Sequence, residues 1–185
     1  VAISLLTGLT GGVKVGREPA TEIVRSHNWP SAFELRDQVS EVVKLDLQAG
    51  RLFGPVESPP YKHYVVSPLG AFLKRNSTKA RVIHDLSFPF VGSVNSEIDP
   101  LSYSLQYSSV DDAVDLCCLI SPAQPFMAKV DLKDAFKHIA LHPSDWHLMG
   151  FSWKDDKGRD LDYFSKVLSF GLRSAPALFD NYAKY

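Results

Sequence analysis

The sequence predicts an α+β fold, and three observations carry that expectation. Two pairs of short apolar runs are each joined by a polar turn, in the manner of hairpins. A long run with apolar residues at helical spacing precedes them. A second helix start, at Ser109, has the residue types of an N-cap and acidic first turn.

Taken in order, residues 1–30 hold Gly8, Gly11, Gly12 and Gly16 and read as a loose N-terminal arm. From Ser31 the apolar positions Phe33, Leu35, Val39, Val42, Val43, Leu45 and Leu47 recur with charges between them. Pro30 stands before this helix and Gly50 where it would stop. Pro55, Pro59 and Pro60 make residues 54–62 a connection. Runs 67–74 and 80–86 form a hairpin across Arg75-Asn76-Ser77-Thr78. Residues 88–107 are irregular, broken by Pro89, Gly92 and Pro100. The helix from Ser109 carries Asp111 and Asp112 in its first turn, with Val114, Cys117, Cys118 and Leu119 expected inward. Residues 126–132 read as a strand and 133–139 as a short helix or turn. Runs 148–154 and 161–167 make a second hairpin across Asp155-Asp156-Lys157-Gly158, and a last helix starts at Ser174.

An apolar fraction of 45% with 22% charged residues describes a globular protein with a real core, in one domain or two small lobes. The net charge of -1 conceals an imbalance: Lys74, Arg75, Lys79 and Arg81 lie together with no acid among them. Such a patch fits a local anion site better than a general nucleic-acid coat. The adjacent Cys117 and Cys118 exclude a disulfide framework and point to a reducing, intracellular setting, cytoplasmic or nuclear. No run approaches a membrane span, and the start lacks the basic segment of a signal peptide. A chain opening on Val1 and closing on Lys184-Tyr185 reads as a piece of a longer protein.

Chemistry concentrates in three blocks. Ala128-Lys129-Val130-Asp131-Leu132-Lys133-Asp134-Ala135-Phe136 delivers a carboxylate at a strand end, a rigid mount suited to a hard divalent cation. Asp131 as a helix cap and Asp134 as a first-turn acid are the ordinary alternatives. Lys74 and Arg81 flank a short turn and can reach one polyanion, although a charged tip can also serve solubility alone. In Phe170-Gly171 the glycine permits close backbone approach, and Pro176 falls within a first helical turn. A plain strand-to-helix turn would look the same.

In conjunction and in this order, the blocks resemble the fingers and palm of a reverse transcriptase over about residues 35–185. His84-Asp85-Leu86-Ser87, Ser93-Val94-Asn95, Leu141-His142-Pro143 and Gly150-Phe151 are similar to the retrotransposon enzymes that include tyrosine-recombinase (DIRS-type) elements. The resemblance implies a fingers segment over 31–107 and a partial palm over 108–185, an antiparallel sheet backed by helices. It implies an RNA-directed DNA polymerase that adds deoxynucleotides to a primer 3′-hydroxyl with two Mg²⁺ ions.

By the same resemblance, Asp131 would be catalytic and would hold metal, helped by the Leu132 carbonyl. Lys74 and Arg81 would hold the incoming triphosphate, and Asp134 and Ala135 would line its phosphate and sugar. Phe136 would stack beneath the deoxyribose and exclude a 2′-hydroxyl. Phe170 and Gly171 would shape the nucleotide pocket and touch the template. Partners would be an RNA/DNA primer-template, deoxynucleoside triphosphates, and the remaining palm, thumb and any RNase H of a parent polyprotein, with no membrane.

Ser169 replaces a proline common in relatives, and the aromatic-x-Asp-Asp motif that supplies the other metal carboxylates does not occur up to Tyr185. Asp111-Asp112 is explained by capping, Asp155-Asp156 by its turn, and His138 with His142 lacks a third ligand for zinc. The rival readings are a non-catalytic nucleic-acid-binding remnant of such a domain and an unrelated structural α/β domain.

Overall fold

The computed structural model describes residues 11–120 and 126–184. The first ten residues of the expected arm lie outside that range.

Pro30 occupies the first turn of α1 (Pro30–Glu34), where its missing N–H costs nothing. The chain bends at Leu35 (φ −113°, ψ 38°) and continues as α2 (Arg36–Gln48), so the single expected helix is two. Gly50 (φ +69°) closes α2, with its N–H on the Leu47 carbonyl, as a left-handed helix end requires.

Five strands make the main sheet: β1 (Ile23–Arg25), β2 (Leu52–Val56), β3 (Tyr64–Val66), β6 (Gly150–Lys154) and β7 (Asp160–Ser165), in the order β1-β3-β6-β7-β2. The hairpin of β4 (Leu69–Leu73) and β5 (Ala80–His84) forms a separate two-stranded sheet. Both expected hairpins are present, β4 with β5 and β6 with β7, each antiparallel. The main sheet nevertheless corrects the expectation of an antiparallel layer. β3 runs parallel to both β1 and β6, because the chain leaves β3 and returns to β6 only after a long excursion. Three-residue strands such as β1 and β3 carry too little alternation to be read from sequence.

The expected arm is anchored from Val13 onward and is not loose. The Val13 N–H donates to the Ala140 carbonyl and its carbonyl accepts from the His142 N–H, the Val15 N–H donates to the buried Asp145, and the Ser174 hydroxyl donates to the Val15 carbonyl. Arg25 on β1 then reaches Asp162 on β7 with a bidentate pair at 2.8 and 2.9 Å, pinning the edge of the sheet.

One buried cluster joins Val15, Val65, Leu86, Val94, Leu141, Met149 and Leu168, and a second joins Val39, Val43, Leu69, Phe151 and Trp153. The main sheet draws strands from all three segments of the sequence division at 30 and 107.

Two expectations fail at the centre of the chain. Residues 126–132 form no strand: a strand needs a hydrogen-bonded neighbour, and this stretch pairs with nothing among the described residues. Helix α3 (Val110–Leu119) begins at Ser109 with a full capping box to Asp112, as its local signals require. Its apolar side is not inward, however, since no α3 residue is buried; Val114 and Leu119 are exposed. Capping is local and legible in sequence, whereas burial depends on a partner surface.

Helix α4 (Ala175–Ala183) starts after Ser174, with Pro176 in its first turn. No helix among the described residues is long and apolar enough to cross a membrane.

Candidate functional site

The turn that carries Asp134, Ala135 and Phe136 is fixed at its far end. Ile139 accepts from the Leu168 N–H, and Leu141 donates to the Lys166 carbonyl. These two bonds lay residues 139–141 against the exit of β7 and bring Phe136 beside Phe170. The ring centroids stand 4.9 Å apart, and Phe179 of α4 closes edge-on at 5.7 Å. Residues Ala135–His138 make a single 3₁₀ turn, entered through Asp134 in a left-handed conformation (φ 55°, ψ 35°).

Phe170 is held through the residue that follows it. Gly171 sits at φ +108°, and a Cβ there would lie 2.5 Å from the His84 carbonyl oxygen. Both conformation and space exclude a side chain. Asn95 brackets the same turn: its Nδ2 donates to the Gly171 carbonyl at 2.7 Å and to Ser87 Oγ at 2.9 Å, while its Oδ1 accepts from the Arg173 N–H. Arg173 returns through its guanidinium to the carbonyls of Asn95 and Ile98. The segments 84–87, 93–95 and 170–173, distant in sequence, are therefore one hydrogen-bonded unit.

His84 lies buried beneath this unit, and its Nε2 sits 3.0 Å from the Gly150 carbonyl. A carbonyl only accepts, so Nε2 carries the proton. Burial pushes the His84 pKa down to about 4, against the opposing pull of the Gly150 bond and of Asp85. The ring is thus a neutral donor.

The hairpin alternates as its pleat demands. Leu69, Ala71, Val82 and His84 turn inward, and Val82 and His84 line a cavity of about 90 Å³ together with Phe170. Phe72 and Arg81 form a cross-strand pair on the opposite, exposed face, the guanidinium 5.8 Å from the ring centroid. Lys74 is exposed where β4 enters the turn. The cavity is far below the several hundred Å³ of a typical ligand pocket. Phe170 also presents an exposed side outside the cavity.

Asp134, Ala135, Phe136, Phe170 and Gly171 are thus gathered at one wall. Lys74, Arg81 and Asp131 are exposed and make no side-chain hydrogen bond or ion pair with that wall among the described residues. Asp131 and Leu132 lie in the exposed stretch 126–132. Among the described residues no three or more His, Cys, Asp or Glu side chains gather in a way that could hold a metal. Asp131 by itself does not fit a two-ion centre, which needs several carboxylates.

No family model matches the chain. It is 27% identical over 158 residues to the Gag-Pol polyprotein of avian reticuloendotheliosis virus, covering 85% of the chain and 12% of the polyprotein. The Gag-Pol polyproteins of koala retrovirus and gibbon ape leukemia virus also match at 27% over 85% of the chain, which spans 8% of each. The chain is retroelement-related. This retroelement-related chain spans only a small part of the curated relatives it matches.

Some residues that build the wall were missed in the sequence or quoted without a role. Asn95 was visible only as part of a resemblance, and His84 likewise. Asp46, Arg51 and Lys137, which line the cavity beside Phe170, gave no signal at all. Asp46 reads as one more charge on the polar face of an amphipathic helix.

Proposed function

We propose that the chain is the fingers and partial palm of an RNA-directed DNA polymerase, one that adds deoxynucleotides to a primer 3′-hydroxyl. One observation carries this reading: Phe136 and Phe170, from two separate motif blocks, meet with tilted rings at one wall whose glycine turn is bracketed by Asn95 to the segment after β5. Two partly exposed rings inclined at 48°, beside a left-handed Asp134, offer apolar surface for a sugar and a base. The similarity to Gag-Pol polyproteins of three retroviruses supports a retroelement setting for it.

In this proposal Phe136 packs beneath the deoxyribose, Phe170 and Gly171 bound the base, and Asp134 with Ala135 faces the phosphates and sugar. Lys74 and Arg81 on the exposed hairpin meet the triphosphate. Asp131, with the Leu132 carbonyl, contributes one carboxylate to magnesium binding, and any further carboxylates would come from outside the described residues. The complete protein would engage an RNA or DNA primer-template.

A ring packed under the sugar discriminates by collision with a 2′-oxygen, a stronger filter than a lost contact. In a version of the protein extended along its reading frame until it polymerises, Phe136→Ala should raise ribonucleotide incorporation about tenfold or more relative to deoxynucleotides. Steady-state incorporation of matched nucleotide pairs reads this out. Equal use of both sugars by the unsubstituted protein would overturn the DNA-polymerase reading. Salt-sensitive primer-template binding that never yields extension would leave a non-catalytic nucleic-acid-binding remnant in its place.

A further inference from the structure

A chain of four alternating charges runs beneath the aromatic wall. Asp46, in the last turn of α2, accepts from Lys137 Nζ with both carboxylate oxygens, at 2.7 and 2.9 Å. Arg51 Nη1 bonds the same carboxylate at 3.2 Å and stands 3.8 Å from Asp134. Only 16% of the Asp46 side chain is exposed, so these attractions are less screened than those of a surface pair. Arg51 is itself fixed through the main chain: its N–H donates to the Asp46 carbonyl, and its carbonyl accepts from Lys166.

The two ends of the Asp134–Lys137 turn are thereby tied to the rigid body, and Phe136 lies between them. The tie has a physical task. Asp134 holds a left-handed backbone that a residue with a side chain adopts at a cost, and such conformations persist only where the surroundings enforce them. The turn's own restraints include Lys137 N–H to the Asp134 carbonyl, Ile139 N–H to the Phe136 carbonyl and His138 Nε2 at 3.0 Å from the Lys133 carbonyl. The ion pairs add a restraint at each end, from residues outside the turn.

We propose that Asp46 is a positioning residue: through Lys137 and Arg51 it fixes the 134–137 turn and so sets where Phe136 stands against the sugar. The sugar-facing part rests on the function proposed above, whereas the restraint of the turn does not.

Amide exchange on the 185-residue protein tests the restraint directly. Asp46→Asn leaves two cations competing for a neutral amide, so the Lys137 and Ile139 amides should exchange about tenfold faster. Amides of β6 and β7 should keep their rates. Lys137→Met, which removes the other partner, should reproduce the effect. Unchanged exchange at Lys137 and Ile139 in both variants would overturn the inference. Loss of protection throughout β6 and β7 in both would overturn it too, because the charges would then be holding the sheet.

In the polymerising version, Asp46→Asn should lower the preference for deoxynucleotides about threefold or more, and Asp46→Glu should restore most of it. If Phe136→Ala changes sugar preference while Asp46→Asn does not, this inference fails and the function stands. If exchange rises as expected but Phe136→Ala leaves sugar preference unaltered, the restraint stands and the sugar-facing reading fails.

Discussion

His84 is a titratable ring enclosed by Phe151, the Gly150 carbonyl and the glycine turn, and its enclosure has a measurable consequence. Its folded pKa is lowered to about 4, while an unfolded chain leaves it near the ordinary value of about 6.5. Between those values the unfolded state binds more protons than the folded one, so stability falls as pH falls. The contribution is fully present above about pH 6.5 and is lost progressively as the pH drops through 4. A shift of that size corresponds to about 3 kcal/mol as an upper figure. His147 adds in the same direction, because its burial lowers its pKa and its Nε2 accepts from the Ala20 N–H. Urea unfolding at pH 7 and pH 4.5 should therefore show the wild type losing more stability than His84→Gln between the two. Parallel losses would mean that the ring is not the group responsible. In the sequence His84 was legible only as one letter of a motif: alternation along a short strand says which residues share a face, but not which face is buried.

At the scale of elements, the segments that read correctly were those whose signals are local. The turn Asp155-Asp156-Lys157-Gly158 closes β6 onto β7 through Asp155 and a left-handed Gly158, and Ser109 caps α3 as its side chain and Asp112 dictate. The strand over 126–132 and the inward face of α3 were misread because both depend on a neighbour. Among the described residues, the hydrophobic side chains there satisfy a pattern without finding a surface: Phe126, Met127 and Val130 are almost fully exposed, as is Leu119. Apolar patches of this kind are uncommon on a monomer and promote association. The 185-residue protein should accordingly self-associate with rising concentration in sedimentation velocity. Val130→Lys together with Leu119→Lys should shift it toward monomer without altering its unfolding midpoint by more than about 0.5 kcal/mol equivalent, as befits exposed positions. A wild type that stays monomeric at high concentration would contradict this reading of the surface.

On the scale of the whole molecule, the order of the blocks was legible and their spatial closure was only in part. The sequence placed Asp134, Phe136 and Phe170 in one site because a resemblance grouped them, and the fold does bring the two rings within 4.9 Å. It could not reveal the bracket that makes the site rigid, since Asn95, Asp46 and Lys137 act across separations of many tens of residues with no local signature. Asp131 marks the opposite case: its motif is the most recognisable in the chain, yet its side chain is exposed, and among the described residues no three or more His, Cys, Asp or Glu side chains gather in a way that could hold a metal. Two Mg²⁺ ions held close together repel each other and compete with water for ligands, so one carboxylate cannot anchor both. The 185-residue protein alone, given primer-template, four deoxynucleotides and Mg²⁺, should therefore extend no more than its Asp131→Asn variant. Gel-resolved extension over long incubation is the measurement. Robust extension that disappears in Asp131→Asn would require a second carboxylate within this chain, and Asp111-Asp112 at the start of α3 would be the first pair to substitute.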